Sequence, residues 1–367
     1  LSELPVESYP DELVVDPTNA DRLYMAMRSF GPAVSDDGGV TWAMMDDPVV
    51  EAMASRTYTF SIDPTGSGEV LFGGNLGHQR SSDDGETFVV ANEGLGGLAH
   101  VGQVEVSPFD ESVVMIQGGR ALFWSDDAGE SWTESADVPA CSEWMSAQLA
   151  PDPHHEGQWY YACGINGLYR STNDGRSFEH VDTLEAAFPG DAQTYAVYLH
   201  PTVPDRLYVV RDNLLHSDDG GETWSETSLG LSWMTSFAIH PDMPSVMYVG
   251  GSRGTVMWSN DSGASWTESS LVGEDGDGTY ARQILPDPLD ASVAWAHDGS
   301  TLFKTEDGGV TWSQVYDFGD WSLGTTAPIL RLDDGSLVVT DQDNGLFQST
   351  DEGETWTSIN VAGGGTD

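Results

Sequence analysis

The chain has 367 residues, of which 60 are acidic and 13 are basic, so its formal charge is −47. Hydrophobic residues make up 39% and aromatic residues 10%, which is enough for a core and excludes disorder caused by charge. No apolar stretch reaches the roughly 18 residues of a membrane-spanning helix, and so negative a surface repels nucleic-acid phosphates and anionic lipids. We therefore expect no nucleic-acid partner and no membrane insertion.

The acidity is dominated by aspartate, because the chain has 38 Asp, 22 Glu, 12 Arg and a single lysine, Lys304. In molar salt the Debye length falls to about 3 Å, so the self-repulsion of such a surface is screened. An Asp-rich, Lys-poor surface resembles those of extreme halophiles; an acidic secreted protein is the alternative. The compartment is not written in the composition, and we favour an extracellular or cell-surface location in a high-salt organism.

An internal repeat organises the chain. The pattern S-x-D-x-G-x-[ST]-[WF] recurs eight times with little drift, at intervals of 42 to 46 residues. The copies begin at Ser35, Ser81, Ser125, Ser171, Ser217, Ser259, Thr305 and Ser349. Eight copies of a five-position pattern at nearly constant spacing indicate a repeat architecture.

Each repeat contains short alternating strands separated by Gly, Pro and Asp turns. In the sixth repeat we predict strands over 236–239, 246–249 and 255–258, and a fourth that begins at Trp266. Parts of four strands can be traced in every copy, from Leu13 in the first to Ile359 in the last. The sequence therefore predicts an all-β fold: a single domain over residues 1–367 that forms a β-propeller of eight four-stranded blades. Seven blades are the alternative, which would leave one copy outside the ring.

The repeated box has a structural role in each copy. Its third position can accept hydrogen bonds from turn amides, its glycine supplies a positive φ, and its closing aromatic residue buries a large surface. The third positions are Asp37, Asp83, Asp127, Asn173, Asp219, Asp261, Asp307 and Asp351. Paired acids such as Asp36 and Asp37 would also suit calcium, but we favour the turn because a metal or catalytic site does not recur in every repeat. We expect no metal and no cofactor, since no Cys/His spacing resembles a zinc site.

The box matches the Asp-box (BNR) repeat of sialidases, sortilin-type receptors, xyloglucanases and photosystem II assembly factors. The resemblance covers residues 14–359 and implies a β-propeller in which the box joins the third and fourth strands, away from the active or binding face. Enzymes, receptors and assembly factors share this turn, so the resemblance specifies the fold and leaves the activity open. Xyloglucanases usually carry two propellers, and this chain is long enough for one.

A candidate binding site lies at the other end of the blades, where the innermost strands begin. We located these starts by counting back seven residues from the residue before each turn proline, and then moved two residues along the same pleat face. The candidate mouth comprises Arg56, Tyr58, His100, Tyr195, Trp233, Tyr280 and Arg282. Aromatic rings stack on sugars and arginines bind carboxylates with two hydrogen bonds, so this set suits a carbohydrate. The alternative is that the rings merely close the channel.

Further arginines lie in the predicted turns between the second and third strands of their blades. They are Arg28, Arg120, Arg211 and Arg253. Together with Arg56 and Arg282, they place six of the thirteen basic residues on one face. A positive patch on so acidic a protein would attract an anionic ligand at moderate salt.

Fewer features of the sequence point to catalysis. By resemblance to sialidases, Tyr58, Tyr195 and Tyr280 are candidate nucleophiles, but the Phe/Tyr-Arg-Ile-Pro signature is absent and no glutamate can be assigned beside them. Other glycosidases need two carboxylates about 5 to 9.5 Å apart. Carboxylates on the same face are Asp212, Asp298 beside His297, Asp341 and Asp343. Acids are too abundant here for their presence to be informative.

We therefore predict a non-catalytic, monomeric binding or scaffolding propeller that recognises a carbohydrate or an anionic group at its mouth. A sialidase-like or other glycoside hydrolase is the first alternative. An assembly factor that binds a protein partner is the second.

The two cysteines belong to the fourth repeat. Cys141 precedes its innermost strand and Cys163 ends its second strand, so both lie near the same end. Symmetric hairpin pairing would set Cys163 opposite residue 144 rather than 141. Two buried thiols are the default expectation, and a disulfide is the alternative.

The charge predicts a dependence on salt. We expect the protein to unfold when the salt concentration falls from molar to about 0.1 M, because screening of the acidic surface is lost. The measurement is the melting temperature across that range. An unchanged melting temperature would contradict the assignment to a high-salt organism.

Overall fold

The computed structural model describes most of the chain. The described residues are 10–27, 31–45, 57–62, 68–74, 77–96, 101–141, 147–190, 192–231, 233–272, 280–318, 329–332, 334–341 and 345–358. The chain is an eight-bladed β-propeller with four antiparallel strands in each blade and very little helix. The predicted all-β fold with eight blades is confirmed, whereas the prediction of a single domain stays a prediction.

The first compact unit begins at Leu1 and continues to Leu199, with two short later segments. In each of its sheets the strands follow chain order from the innermost to the outermost. The first two blades consist of β1 Pro10–Asp16, β2 Asn19–Met27, β3 Gly31–Ser35 and β4 Ala43–Met44, then β5 Thr57–Ile62, β6 Val70–Gly74, β7 Gly77–Ser81 and β8 Val89–Val90. The next two consist of β9 Val101–Val106, β10 Val114–Gly118, β11 Ala121–Ser125 and β12 Thr133–Glu134, then β13 Ala147–Pro151, β14 Trp159–Cys163, β15 Leu168–Ser171 and β16 Glu179–His180. A short helix, α1 Asp182–Ala187, follows, and β17 Ala196–Leu199 is the innermost strand of the fifth blade.

The second compact unit comprises His200–Gly220 and Trp224–Ser358. It contains β18 Leu207–Val210, β19 Leu214–Ser217 and β20 Ser225–Thr227 of the fifth blade. The sixth blade follows with β21 Met234–Ile239, β22 Met247–Gly251, β23 Thr255–Ser259 and β24 Thr267–Ser270. The seventh has β25 Gln283–Pro286, β26 Ala294–His297, β27 Thr301–Thr305 and β28 Ser313–Asp317, and the eighth has β29 Ile329–Arg331, β30 Leu337–Asp341, β31 Gly345–Ser349 and β32 Thr357–Ser358. The four strands predicted for the sixth repeat are thus confirmed to within two residues at each end.

The core lies between the faces of neighbouring sheets. In the first unit, for example, Tyr24 of the first blade packs against Phe60 of the second, with ring centroids 5.9 Å apart, and Phe72 and Phe88 continue the series at 5.7 and 5.0 Å. In the second unit, Tyr248 of the sixth blade packs its ring against Trp312 of the seventh. The box aromatics thus pack between blades, as the sequence predicts for large buried rings.

Each blade has two chemically different ends. In seven blades, the residue before the box glycine donates its N–H to a carbonyl in the turn between the first and second strands or, in the first blade, at the start of the second strand, at 2.8 to 3.0 Å. The pairs are Gly38–Asp21, Asp84–Gly68, Ala128–Ser112, Asp174–Gly157, Gly220–Asp205, Ser262–Ser245 and Gly308–Ser292. We call this the box end of a blade. The mouth end is the opposite one, where the innermost strand begins and the second strand turns into the third.

The third box shows the hydrogen bonding of the turn. The Ser125 hydroxyl donates to the Asp127 carboxylate at 2.7 Å and accepts the N–H of Gly129 at 2.9 Å. Asp127 also accepts the Ser131 N–H and hydroxyl, at 2.9 and 2.6 Å. Equivalent bonds recur in the first, second, sixth, seventh and eighth boxes. Both carboxylate oxygens therefore serve the turn, which supports the structural interpretation over calcium binding.

Side chains five residues before the turn proline join several innermost strands to the next. Gln103 accepts the N–H of Leu149 at 2.9 Å and donates to its carbonyl at 2.8 Å. Glu12 accepts the N–H of Phe60 at 2.6 Å, Gln148 accepts that of Val197 at 2.9 Å, and Gln283 accepts that of Ile329 at 2.8 Å. These bonds satisfy backbone groups for which the sheet offers no further strand.

The two cysteines form a disulfide, with their Cα atoms 5.6 Å apart. The default expectation of two free thiols is therefore wrong. In the hairpin, Cys163 pairs with Ala147, so the hairpin register alone does not place Cys141 beside it. Hairpin counting from the sequence therefore could not predict the bond.

The box acid should stabilise the fold through its charged hydrogen bonds. Asp127→Ala leaves the Ser131 N–H and two hydroxyls without their acceptor, so we expect a loss of about 1 to 3 kcal/mol in the free energy of unfolding. Chemical denaturation measures this change. The matched control is Asp126→Ala, which removes only an exposed pair with Arg176 and should cost less than about 0.5 kcal/mol. Equal effects of the two variants would contradict the structural role of the box.

A glutamate on β9 should make the stability depend on pH. Burial raises the pKa of Glu105 to about 7; the Gln103 amide, 2.8 Å away, opposes this shift, and the neighbouring charge of Glu12 adds to it. The folded protein therefore keeps a proton that the unfolded chain releases, and stability falls as pH rises from about 4.5 through 7. The loss is on the order of 3 kcal/mol.

Glu105→Gln should remove this part of the pH dependence. We expect the free energy of unfolding of the variant, relative to the parent, to rise between pH 4.5 and 8. The control is Glu134→Gln on β12 of the same blade, which should follow the parent profile. A parallel profile for Glu105→Gln would contradict the raised pKa.

Candidate functional site

The predicted mouth residues fall at the starts of innermost strands where the structure describes them. Tyr195, Trp233 and Arg282 directly precede β17, β21 and β25. Tyr58 lies on the backbone of β5. Arg56 and His100, and also Arg28, lie outside the described residues.

The strand starts pair with the turn between the second and third strands of the preceding blade. In the second unit, Tyr280 forms an antiparallel bridge with Ser252. In the first unit, Thr194 and Gly164 exchange two backbone hydrogen bonds, of 3.1 and 2.9 Å. By this register Tyr195 corresponds to Ala281, whereas counting from the proline had aligned it with Arg282. The difference is one residue and reflects the variable spacing to the turn proline.

Two exposed rings lie on either side of Ser252. Trp233 is 63% exposed and Tyr280 is 48% exposed. The Ser252 N–H donates to the Trp233 carbonyl at 3.3 Å, and Ser252 also bridges to Tyr280. A bare Trp and a bare Tyr held at the ends of strands form a surface on which flat apolar groups can stack.

Two arginines border the same turn. Arg253 is exposed and stands at the first central position of a tight turn, with φ +60° followed by Gly254 at +68°. The Thr255 N–H closes this turn on the Ser252 carbonyl at 3.3 Å. We call the set Trp233, Ser252, Arg253, Tyr280 and Arg282 the Ser252 site.

Residues of the seventh blade fix the position of the second arginine, Arg282. The backbone N–H of Arg282 donates to the His297 carbonyl at 2.9 Å. Its guanidinium lies against Gly299, where an added Cβ would come within 3.1 Å of Nε and Cζ. A side chain at position 299 would therefore displace the guanidinium, and the glycine keeps its place free.

His297 and Asp298, next to the site, have structural roles. Burial lowers the pKa of His297 to about 4, although Asp298 opposes this, and the charge of Arg282 lowers it further. His297 is therefore neutral near pH 7. Asp298 accepts the N–H groups of Ser300 and Thr301 at 3.0 and 2.9 Å, so its carboxylate caps a turn.

The other residues considered for the mouth face are spread over it. Arg120 follows β10, Arg211 follows β18 and is 4% exposed, and Asp212 is exposed beside it. Asp341 ends β30, and Asp343 lies outside the described residues. Across the described ranges, no three His, Cys, Asp or Glu side chains converge in a way that would hold a metal ion. Nor does a helix there have the length and apolarity to cross a membrane.

A groove at the box end was not predicted from the sequence. It has a volume of about 590 Å³, and Tyr208, Leu214, Met257 and Trp266 contribute to its lining. The three atoms nearest to a Cβ built on the box glycine Gly263 all belong to its own blade, whereas Tyr248 of the preceding blade reaches Gly309. The groove therefore lies where the fifth blade does not cover the sixth box, a packing detail that no motif signals.

Comparison with known proteins agrees with the box and the blades. The family model described as BNR/Asp-box repeat matches residues 215–226, which include the fifth box. The chain is a β-propeller that carries a BNR/Asp-box repeat. Its fold matches the crystal structure of the GH74 xyloglucanase from Xanthomonas campestris with a TM-score of 0.61, 14% identity, and coverage of 97% of this chain and 68% of that one.

Two further proteins are similar to this chain. A xyloglucanase from Paenibacillus is 27% identical over 200 residues, which cover 51% of this propeller and 18% of the relative. This propeller therefore matches only about a fifth of that relative's length. A structure of Ycf48 bound to a D1 peptide has a TM-score of 0.55 and 13% identity, and covers 84% of this chain and 93% of that one. At such identities the structural matches establish the fold alone.

Proposed function

We propose that this propeller is a carbohydrate-binding platform whose binding surface is the Ser252 site. The observation that carries the proposal is the pair of exposed rings, Trp233 and Tyr280, on either side of one backbone turn. Similarity to a xyloglucanase supports a saccharide as the ligand.

The geometry suits stacking because both rings are exposed to solvent and both residues are fixed by backbone contacts. Trp233 directly precedes β21, and Tyr280 is tied to the sixth blade through its bridge to Ser252. A sugar ring presents an apolar face edged by hydroxyls, so it can cover an indole or phenol ring and still bond to nearby donors. Because the rings are held on strand ends, little ordering is needed when the ligand binds.

A glycoside hydrolase is the second candidate, and a carboxylate pair supports it beside the xyloglucanase relatives. Glu12 accepts a backbone N–H, whereas burial raises the pKa of the nearby Glu105 to about 7. A carboxyl group with a raised pKa close to a second carboxyl group is the combination that a general acid and its partner need.

A peptide is the other class of ligand, because Ycf48 binds one and a propeller can present the same end to either ligand. The disulfide supports an extracellular or cell-surface location, since disulfides persist in oxidising compartments. The monomeric state and the high-salt environment remain part of the proposal.

The stacking proposal is tested by ring removal. We expect Trp233→Ala and Tyr280→Ala each to weaken binding of xyloglucan- and uronate-containing oligosaccharides by about tenfold, which is about 1.4 kcal/mol. Isothermal titration calorimetry at high salt measures this. The matched control is Phe109→Ala, which removes a 45% exposed ring at the box end and should leave binding unchanged. Saccharide binding that ignores both ring variants would overturn the site, and binding of peptides alone would replace the ligand class.

The catalytic alternative has its own test. Release of reducing ends from xyloglucan or another polysaccharide by the pure protein, abolished in Glu105→Gln, would establish a hydrolase. The pH experiment above expects this variant to be folded, so a loss of activity could not be ascribed to unfolding. Saccharide binding without release supports the non-catalytic platform.

A further inference from the structure

We infer that the saccharide bound at the Ser252 site carries an anionic group, a uronate carboxylate or a sulfate ester, held by Arg253 and Arg282. This inference rests on the proposed function and names the class of its ligand. It follows from how the few cations of this acidic protein are used.

The cations near the box ends are neutralised by the protein itself. Seven of them lie within 3.3 Å of a carboxylate oxygen. The pairs are Arg22–Asp36, Arg80–Glu69, Arg170–Glu222, Arg176–Asp174, Arg206–Asp218, Lys304–Glu352 and Arg331–Asp287. With 60 acidic residues against 13 basic ones, a partner is available almost anywhere on the surface.

The two arginines of the Ser252 site differ from these seven. In the part of the chain that the structure describes, neither Arg253 nor Arg282 makes an ion pair. Their guanidinium groups therefore keep donors in a planar fork that matches the oxygens of a carboxylate or sulfate. Arg253 lies in the turn that begins at Ser252, which bridges to Tyr280, and Arg282 follows Tyr280 by two residues, so both arginines lie beside the same ring.

The backbone of Arg253 is an independent sign of function. Its φ of +60° is left-handed, and the tight turn it shares with Gly254 favours Asn-Gly or Gly-Gly. Asn and Gly adopt this backbone conformation at a lower energetic cost than an arginine does. In the described chain, the exposed Arg253 side chain makes no ion pair that would offset this cost. The position is explained if the side chain serves a ligand.

Arg282 is placed by packing and not by charge. The open side of Gly299 accommodates its guanidinium, and the residue beneath it, His297, is buried and neutral. In the seventh blade, the His297 carbonyl accepts the N–H of Arg282, and the Asp298 carboxylate caps the turn that follows. The net charge of −47 repels an anionic sugar over most of the surface. The two positive charges beside the exposed rings reduce this repulsion locally and favour binding of an anionic sugar there.

The test compares ligand charge in otherwise similar saccharides. The probes are oligogalacturonates, sulfated galactan oligosaccharides and neutral xyloglucan oligosaccharides, titrated into the whole protein at one fixed salt concentration that keeps it folded. We expect at least one acidic class to bind ten times more tightly than the neutral one. Preference for oligogalacturonate would identify a uronate, and preference for the sulfated probe a sulfate ester.

The variants are Arg253→Asn and Arg282→Gln, with Arg206→Gln as control. Each of the first two should weaken binding of the acidic saccharide about tenfold and weaken binding of the neutral one by a clearly smaller factor; an equal loss for both saccharides would contradict the charge inference. The control removes an arginine already paired with Asp218 at the box end and should change neither. Arg253→Asn creates the preferred Asn-Gly turn, so its melting temperature should be unchanged or higher, and weaker binding could not be ascribed to unfolding.

Two outcomes separate this inference from the proposed function. If neutral and acidic saccharides bind equally and the arginine variants have no effect, while Trp233→Ala still weakens binding, the charge inference is wrong and the platform stands. If no saccharide binds, both are wrong.

Discussion

The blades depend on one turn, in which a hydroxyl accepts the N–H of a glycine four residues on and donates two residues on to a carboxylate or, in the fourth box, to the amide oxygen of Asn173. In the third box, Ser125, Asp127 and Gly129 form this unit, and Asp127 also holds Ser131 at the start of the outer strand. The residue between the acid and the glycine bonds to the turn between the first two strands, so one motif fixes two connections. This arrangement commits one end of each blade to structure and leaves the other end free to carry function.

The innermost strands lie at the edges of their sheets, so the backbone N–H and C=O groups on one side of each strand have no further strand to pair with. Glutamine side chains supply partners by bonding both groups of one residue, as Gln103 does with Leu149. Glu12 occupies the equivalent position and accepts the N–H of Phe60, but an ionised carboxylate has no proton to donate to a carbonyl. Glu105 adds a second carboxyl group close to it, at a cost in stability that rises with pH. A catalytic pair of carboxyl groups would account for this cost in stability. The cost is therefore a physical argument for the hydrolase alternative.

Charge divides the two ends as clearly as hydrogen bonding does. At the box ends, cations such as Arg206 and Lys304 are bonded to acids of the same protein, which reduces self-repulsion. At the Ser252 site, Arg253 and Arg282 border two bare rings and make no ion pair in the described chain. The net charge of −47 therefore says little about the ligand, whereas the placement of two positive charges bears on it directly.

The sequence by itself determined the repeat, the number of blades and the chemistry of the box, because these depend on local spacing. A hydroxyl, a carboxylate and a glycine within five residues form the same turn wherever they occur. It also placed Trp233 and Arg282 at strand starts, because the count from the turn proline is nearly constant. The count was off by one residue at Tyr195, where the bridge between Thr194 and Gly164 sets the register. Only the tertiary structure decided the Cys141–Cys163 bond, the pairing of Ser252 with Tyr280 and the groove beside Trp266. Each of these joins residues far apart in the chain, and long-range packing, which no local pattern encodes, sets the distance between them.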